Sequence, residues 1–372
     1  MGNNRPDSAE APDQDGRSTL VRIARCAVDE SALGQLHPNL WTRLPHDAEA
    51  NHLAPLLDSL LRRCVQHVPE PAAATLRALM LRHAAWHRAR TDALHEVLST
   101  FERQTIDALV LKGAALAWMV YQAPALRPMA DIDLMVPRPA APRAQEALRR
   151  LGFRAERTAR RFGHNMHHLP VAARVDGGMT INVEIHIDAL SRDSLSSIGL
   201  SNLTEPPQSF VVDGTRHLTL GHVDMLRHLT HHLLTPSPDG CVRLIAIVDL
   251  LRYAGTFHDQ IDWARIERDF PFVVNALGCI HHVVPLPAAL RRFVSSSACP
   301  PPRGVGETMR PLRSIVRRGR RPRAIIRELF EPPDWWMHAY YNVPIGQSLT
   351  RTHLIRHPWR VARWLGLRVA GF

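Results

Sequence analysis

From about Leu20 to Phe101 apolar residues recur every three or four positions. The segments LAPLLDSLLRRCV at 53–65 and TLRALMLRHAAWHRARTDALHEVLSTF at 75–101 each predict a helix, with Pro69 and Pro71 between them. At Ile106 the period changes. DALVLKG is a short apolar run that suits a buried strand, and Gly113 ends it where the backbone must turn into a helix over AALAWMVYQ. The proline-punctuated loop APALRPMA leads to a second strand, DIDLMV at 131–136, and a helix over about 140–151 stops at Gly152. Residues 162–175 have alternating character, Asp176-Gly177-Gly178 supplies a hairpin turn, and MTINVEIHIDA returns as the second arm. Helices are then predicted at 218–234, 241–255 and 259–270, broken by TPSPDG and Gly255. Residues 1–17 lack apolar spacing and are expected to be disordered.

This pattern divides the chain into a tail (1–17), an N-terminal helical segment (18–103), an α+β core (104–217), a helical domain (218–295) and an Arg-rich, aromatic C-terminal segment (296–372). The composition is that of a globular protein, 45% hydrophobic and 22% charged. The best apolar runs, such as LIAIVDLL at 244–251, are short and carry an acid, and Met1 to Arg17 is polar, so neither a spanning segment nor a secretory leader is expected and the protein reads as cytoplasmic. Five cysteines, far apart and without a CxxC pair, indicate reduced thiols. The net charge of +11 sits at one end: from Arg291 onward sixteen arginines face four acids. Such a segment suits a polyanionic partner, nucleic acid or an anionic surface, although a solvated basic face is the default.

The candidate chemistry lies in the core. Asp131 and Asp133 share one face of their predicted strand while Ile132 and Leu134 take the other. Two carboxylates this close repel unless a cation lies between them, and a divalent ion is the natural remedy. On the later arm Glu184, His186 and Asp188 likewise share a face. Lys112, directly before Gly113, is the only lysine among 46 basic residues. As a compact charge on a flexible stem it suits a phosphate oxygen near a metal, and the exposed amides of the helix opening at Gly113 and Ala114 suit a phosphate. Arg127 lies on the loop before the acidic strand. His164, His167 and His168 belong to the preceding arm and are candidates for the same cleft. His222, His228, His231 and His232 invite a metal reading, with 228 and 232 four apart, but the absence of a third ligand and base at helical spacing favours a structural role. His52, His67, His83 and His87 are assigned no chemistry.

The pieces LKGAAL at 111–116, RPMADIDL at 127–134, Gly152-Phe153 and VEIH at 183–186 resemble an uncharacterised bacterial nucleotidyltransferase family of the DNA polymerase beta-like superfold. The likeness implies an α+β fold, a small mixed sheet flanked by N-terminal and C-terminal helical segments. It implies an NTP substrate with ATP among the candidates, and Mg²⁺ or Mn²⁺ on Asp131, Asp133 and Glu184. Gly113 and Ala114 would line the triphosphate, with Lys112 and Arg127 assisting. His186, His164 and Asp188 are candidates for orienting a carboxylate or contacting substrate, and Asp188 and Asp176 are fallback acids. The superfold's usual Gly-Gly or Gly-Ser pair is here Gly-Ala, which removes a hydroxyl, and Gly113 and Asp131 are further apart than the general pattern.

The reaction implied is transfer of a nucleoside monophosphate from an NTP to an acceptor, which is a small molecule, peptide, protein or RNA. Two alternatives stand beside it: a nucleic-acid-binding or regulatory protein on a non-catalytic core, and a toxin-like enzyme that modifies tRNA.

Overall fold

The computed structural model describes residues 16–64, 67–155, 167–190, 197–236, 240–294, 302–307, 326–327 and 329–369. The expected N-terminal tail, His164, Cys299 and most of the arginine run at 308–325 lie outside the described residues.

The sheet that positions the site has five strands. They are β1 (Leu109–Val110), β2 (Ile132–Met135), β3 (Arg154–Ala155), β4 (Ala172–Asp176) and β5 (Met179–His186), in spatial order β1-β2-β5-β4-β3. Only β2 and β5 run parallel; the other neighbours are antiparallel, so the sheet is mixed as expected. Ile132, Leu134, Val183 and Ile185 are buried and bind the central strands to the core. Asp176 pairs with Met179, which makes Gly177 and Gly178 the two central turn residues, at φ of 54° and 79°. Positive φ at both positions is what a tight hairpin needs, and glycine supplies it without a Cβ penalty.

Helices surround this sheet. On the N-terminal side are α1 (Gly16–Asp29), α2 (Leu44–Ala50), α3 (Ala54–Leu61) and the 34-residue α4 (Glu70–Arg103), which begins five residues before the apolar spacing suggests. Pro71 at its first turn explains this, since proline has no N–H to lose there. Between the strands run α5 (Lys112–Met119) and α6 (Ala141–Arg150), the latter closed by Gly152 at φ 87°. Beyond them come α7 (His222–Leu234), α8 (Leu244–Thr256), α9 (Trp263–Asp269), α10 (Pro271–Ile280), α11 (Asp334–Tyr340) and α12 (His357–Val369).

One feature departs from the sequence reading, and the C-terminal segment adds another that it left open. The run at 218–234 is not helical throughout: residues Thr215–Thr219 form β7, which pairs with β6 (Gln208–Val212) in a separate hairpin, and α7 starts only at His222. The aromatic residues of the C-terminal segment are divided, with Trp359 65% exposed. Trp335 and Trp336 are buried, and the Trp336 indole donates to Leu234 O at 2.7 Å. One contiguous hydrophobic cluster extends from Leu20 to Val343.

Among the described residues no helix is long and apolar enough to cross a membrane. Cys26, Cys64, Cys241 and Cys279 are free thiols.

Candidate active site

The parallel register of β2 and β5 sets Asp133 opposite Glu184, with His186 two residues further along β5. His186 Nε2 lies 2.8 Å from Asp133 Oδ1 and 3.4 Å from Glu184 Oε2, and Lys112 Nζ approaches Asp133 Oδ2 to 3.4 Å. The carboxylate expected to need a metal therefore already has two partners, the Lys112 ammonium and the His186 ring, and Asp133 and His186 are almost wholly buried. Burial alone would push Asp133 up; Lys112 and His186 outweigh it and hold the carboxyl far below the usual range. His186 and Lys112 respond in kind. Burial works against the charged form of each, but Asp133 and Glu184 beside the imidazole, and Asp133, Asp131 and Glu184 beside the ammonium, raise both above their ordinary values. The hydrogen bond from His186 leads the effects that keep Glu184 low.

Asp131 stands apart from this network. Among the described residues it makes no ion pair or hydrogen bond, and burial followed by repulsion from Asp133 pushes its carboxyl up to about 6. Buried Arg90 of α4 is nearby: its guanidinium donates to Ala130 O at 3.4 Å, and its charge is felt by Asp131. Sequence patterning missed Arg90 because it is one of many arginines on a long helix.

The turn from β1 into α5 is tight. Leu111 N bonds Asp133 O at 2.9 Å, and Lys112 takes φ 39°, a left-handed conformation that a residue with a Cβ adopts at a cost of about 1 kcal/mol or more. At Gly113 a Cβ would collide with Arg127 Nη1 and lie 2.9 Å from its Cζ, so the glycine makes room for a guanidinium. Arg127 is in turn held by Asp249 of α8, through Nη2 at 2.7 Å and Nε at 3.2 Å, and Tyr121 Oη donates to the same carboxylate at 2.6 Å. Asp249 is the acid that interrupts LIAIVDLL. That interruption was the visible signal, and its partner was not. Ala114 is buried in the first turn of α5.

A cavity of about 170 Å³ opens against Glu184, His186 and Lys112, with walls that include His167, His168, His228, His231 and His232. His167 and His168 thus share the cleft, their rings 6.4 and 5.5 Å from that of His186. Three of the α7 histidines expected to be structural line it too, while His222 instead pairs with Tyr253 Oη at 2.9 Å. His228 is buried with neither ring nitrogen bonded, and burial depresses it well below the usual histidine value, as it does His232, to about 3, and His231, to about 4. Asp188 is placed elsewhere. Its Oδ1 accepts from the backbone of Leu190 and Ile198 at 2.8 and 2.9 Å, closing a loop.

The donor chemistry fits a divalent ion: Asp133, Glu184 and His186 each offer one ligand atom, all within 4.8 Å of one another. The comparisons with known proteins agree in kind. Residues 37–279, well over half of the chain, match the model of a family described as uncharacterised nucleotidyltransferases, and the protein belongs to that family. It is also similar to two solved structures of the antibiotic-resistance factor ANT(2'')-Ia. A solution structure, described for its substrate-regulated conformation dynamics, has 14% identity and a TM-score of 0.35, with 52% of this chain and 98% of that one covered. A crystal structure in complex with adenylyl-2"-tobramycin has 12% identity and a TM-score of 0.34, with 48% and 96% covered. Likeness at this level is too slight to transfer an acceptor. No curated protein matches the chain.

Proposed function

We propose that the protein moves a nucleoside monophosphate from an NTP to a hydroxyl, phosphate or amine of an acceptor, releasing pyrophosphate, with Asp131, Asp133 and Glu184 holding Mg²⁺ or Mn²⁺. The observation that carries this is the pairing of Asp133 with Glu184 across two parallel strands, with Asp131 directly before the first of them. Held there, a divalent ion supplies charge neutralisation for the triphosphate and lowers the pKa of an acceptor hydroxyl. The chain's own groups do the rest. Lys112, its ammonium 3.4 Å from Asp133, is within a side-chain swing of a bound phosphate oxygen. Glu184, kept ionised, can take the acceptor's proton. Arg127 is already neutralised by Asp249, so its part is to fix the turn at Gly113 rather than to bring free charge.

The test is to incubate the full chain with Mg²⁺ or Mn²⁺, NTPs labelled at the α-phosphate, and a cell extract resolved by size. Label should pass to one size class and be lost in Asp131→Asn and Asp133→Asn. Transfer that persists in both variants would sink the assignment. RNA as acceptor is the second reading, favoured by the sixteen arginines against four acids beyond residue 290. Contact would run mainly through phosphates and weaken steeply with salt, with exposed Trp359 the aromatic that a base could stack on.

A further inference from the structure

We propose that His186 is itself a ligand of the metal through Nε2, and that the centre thereby takes a first-row transition ion such as Mn²⁺ in preference to Mg²⁺. This rests on the nucleotidyl-transfer reading and names the ion for it. Geometry comes first. Two ligands bound to one ion at about 2.1 Å stand about 3.0–3.5 Å apart in octahedral or tetrahedral arrangements. His186 Nε2 is 2.8 Å from the nearer oxygen of Asp133 and 3.4 Å from that of Glu184. The imidazole therefore sits at ligand spacing from Glu184 and slightly inside it from Asp133, where an ion would displace the proton the two side chains now share, and its burial holds it there. Nδ1 is buried without a partner, so among the described residues the ring is anchored only through the nitrogen that faces the two acids.

The surroundings give an independent reason. Mg²⁺ favours oxygen ligands and several waters, whereas imidazole suits the transition ions. The cavity beside the cluster is walled by imidazoles, with Glu184 the only carboxylate among the described residues that line it. His228 is buried there with both ring nitrogens unpartnered, a costly state unless something enters the cavity to bond them. Burial favours the neutral form of His228, His232 and His167, whose rings wall the same cavity.

Any carboxylate site binds transition ions more tightly than Mg²⁺, so the affinity order alone decides nothing. What decides is how the preference and the spectrum change with the imidazole. The full chain is titrated with Mn²⁺ and with Mg²⁺ by calorimetry, and the Mn²⁺ form is examined by electron spin echo envelope modulation. We expect directly bound ¹⁴N coupling in the unaltered protein, its loss in His186→Asn and its retention in His228→Asn. The preference for Mn²⁺ over Mg²⁺ should fall roughly tenfold in His186→Asn. Circular dichroism verifies folding, and His186→Gln serves if the asparagine variant does not fold. Mn²⁺ that binds without ¹⁴N coupling, or with coupling that survives both His186 variants, overturns this proposal alone. Absence of binding by either ion to the folded protein overturns the nucleotidyl-transfer reading with it.

Discussion

Lys112 concentrates several costs at one residue: burial of an ammonium, a left-handed backbone and separation from every other lysine, since there is none. Its partner is an acid only 3% exposed, so removing the ammonium leaves a buried charge with His186 as its remaining support. Lys112→Met should therefore lower stability by about 2–3 kcal/mol, despite the apolar replacement, as read from urea unfolding. An unchanged midpoint would mean that Lys112 contributes nothing to holding Asp133. Gly113→Ala tests a different contact. The added methyl has to displace Arg127 from above the turn and disturb its bonds to Asp249, a loss of about 2–4 kcal/mol. The acids of the centre were legible in the sequence because strand alternation ties residues two apart to one face. Asp249, Arg90 and His228 were not, because each meets the site from a helix distant in sequence, and no local period encodes such a meeting.

At the scale of elements, the sheet core was legible where turn chemistry and alternation agreed, as at Gly177-Gly178. The β6–β7 hairpin carried the same kind of signal, Asp213-Gly214, just before a run at 218–234 whose leucines suggested a helix. Both residues take positive φ, 44° and 82°. The hairpin is tied to the sheet by Thr219 Oγ1, which donates to Val110 O at 2.6 Å, and to α8 by Gln208 Nε2, which donates to Tyr253 Oη at 2.6 Å. Gly214→Ala should cost about 1–2 kcal/mol, because no contact is lost at a position open to solvent and only the backbone is strained. Gly214→Asn should cost clearly less, since asparagine tolerates the left-handed region. Equal melting temperatures for the two variants would show that backbone strain is not what the glycine relieves.

Across the whole molecule, neutral histidines are buried at sites remote from the carboxylates, and they set how the fold responds to acid. His52 lies between α2 and α3 and His87 within α4; burial is the main cause that lowers each to about 4. His357 opens α12, accepting at Nδ1 from Tyr341 Oη at 2.8 Å and donating from Nε2 to Leu329 O at 2.9 Å, and burial lowers it too. The unfolded chain protonates each of them near pH 6.5, while the folded chain resists until about pH 4 for the first two. Between those limits the unfolded state binds more protons, so stability is fully present above pH 6.5 and is lost as pH falls toward 4. A shift of this size is worth about 2 kcal/mol for each of His52 and His87, once their partial exposure is discounted. The charge of +11 at neutral pH adds repulsion in the same direction as more groups protonate. Denaturant midpoints at pH 7.5, 6, 5 and 4 should fall continuously for the unaltered chain. In a His52→Asn/His87→Asn variant the midpoint should start lower and fall with a shallower slope, because two of the groups that take up protons only on unfolding are gone. Parallel slopes for the two proteins would remove these imidazoles from the cause and leave the general charge to account for the loss.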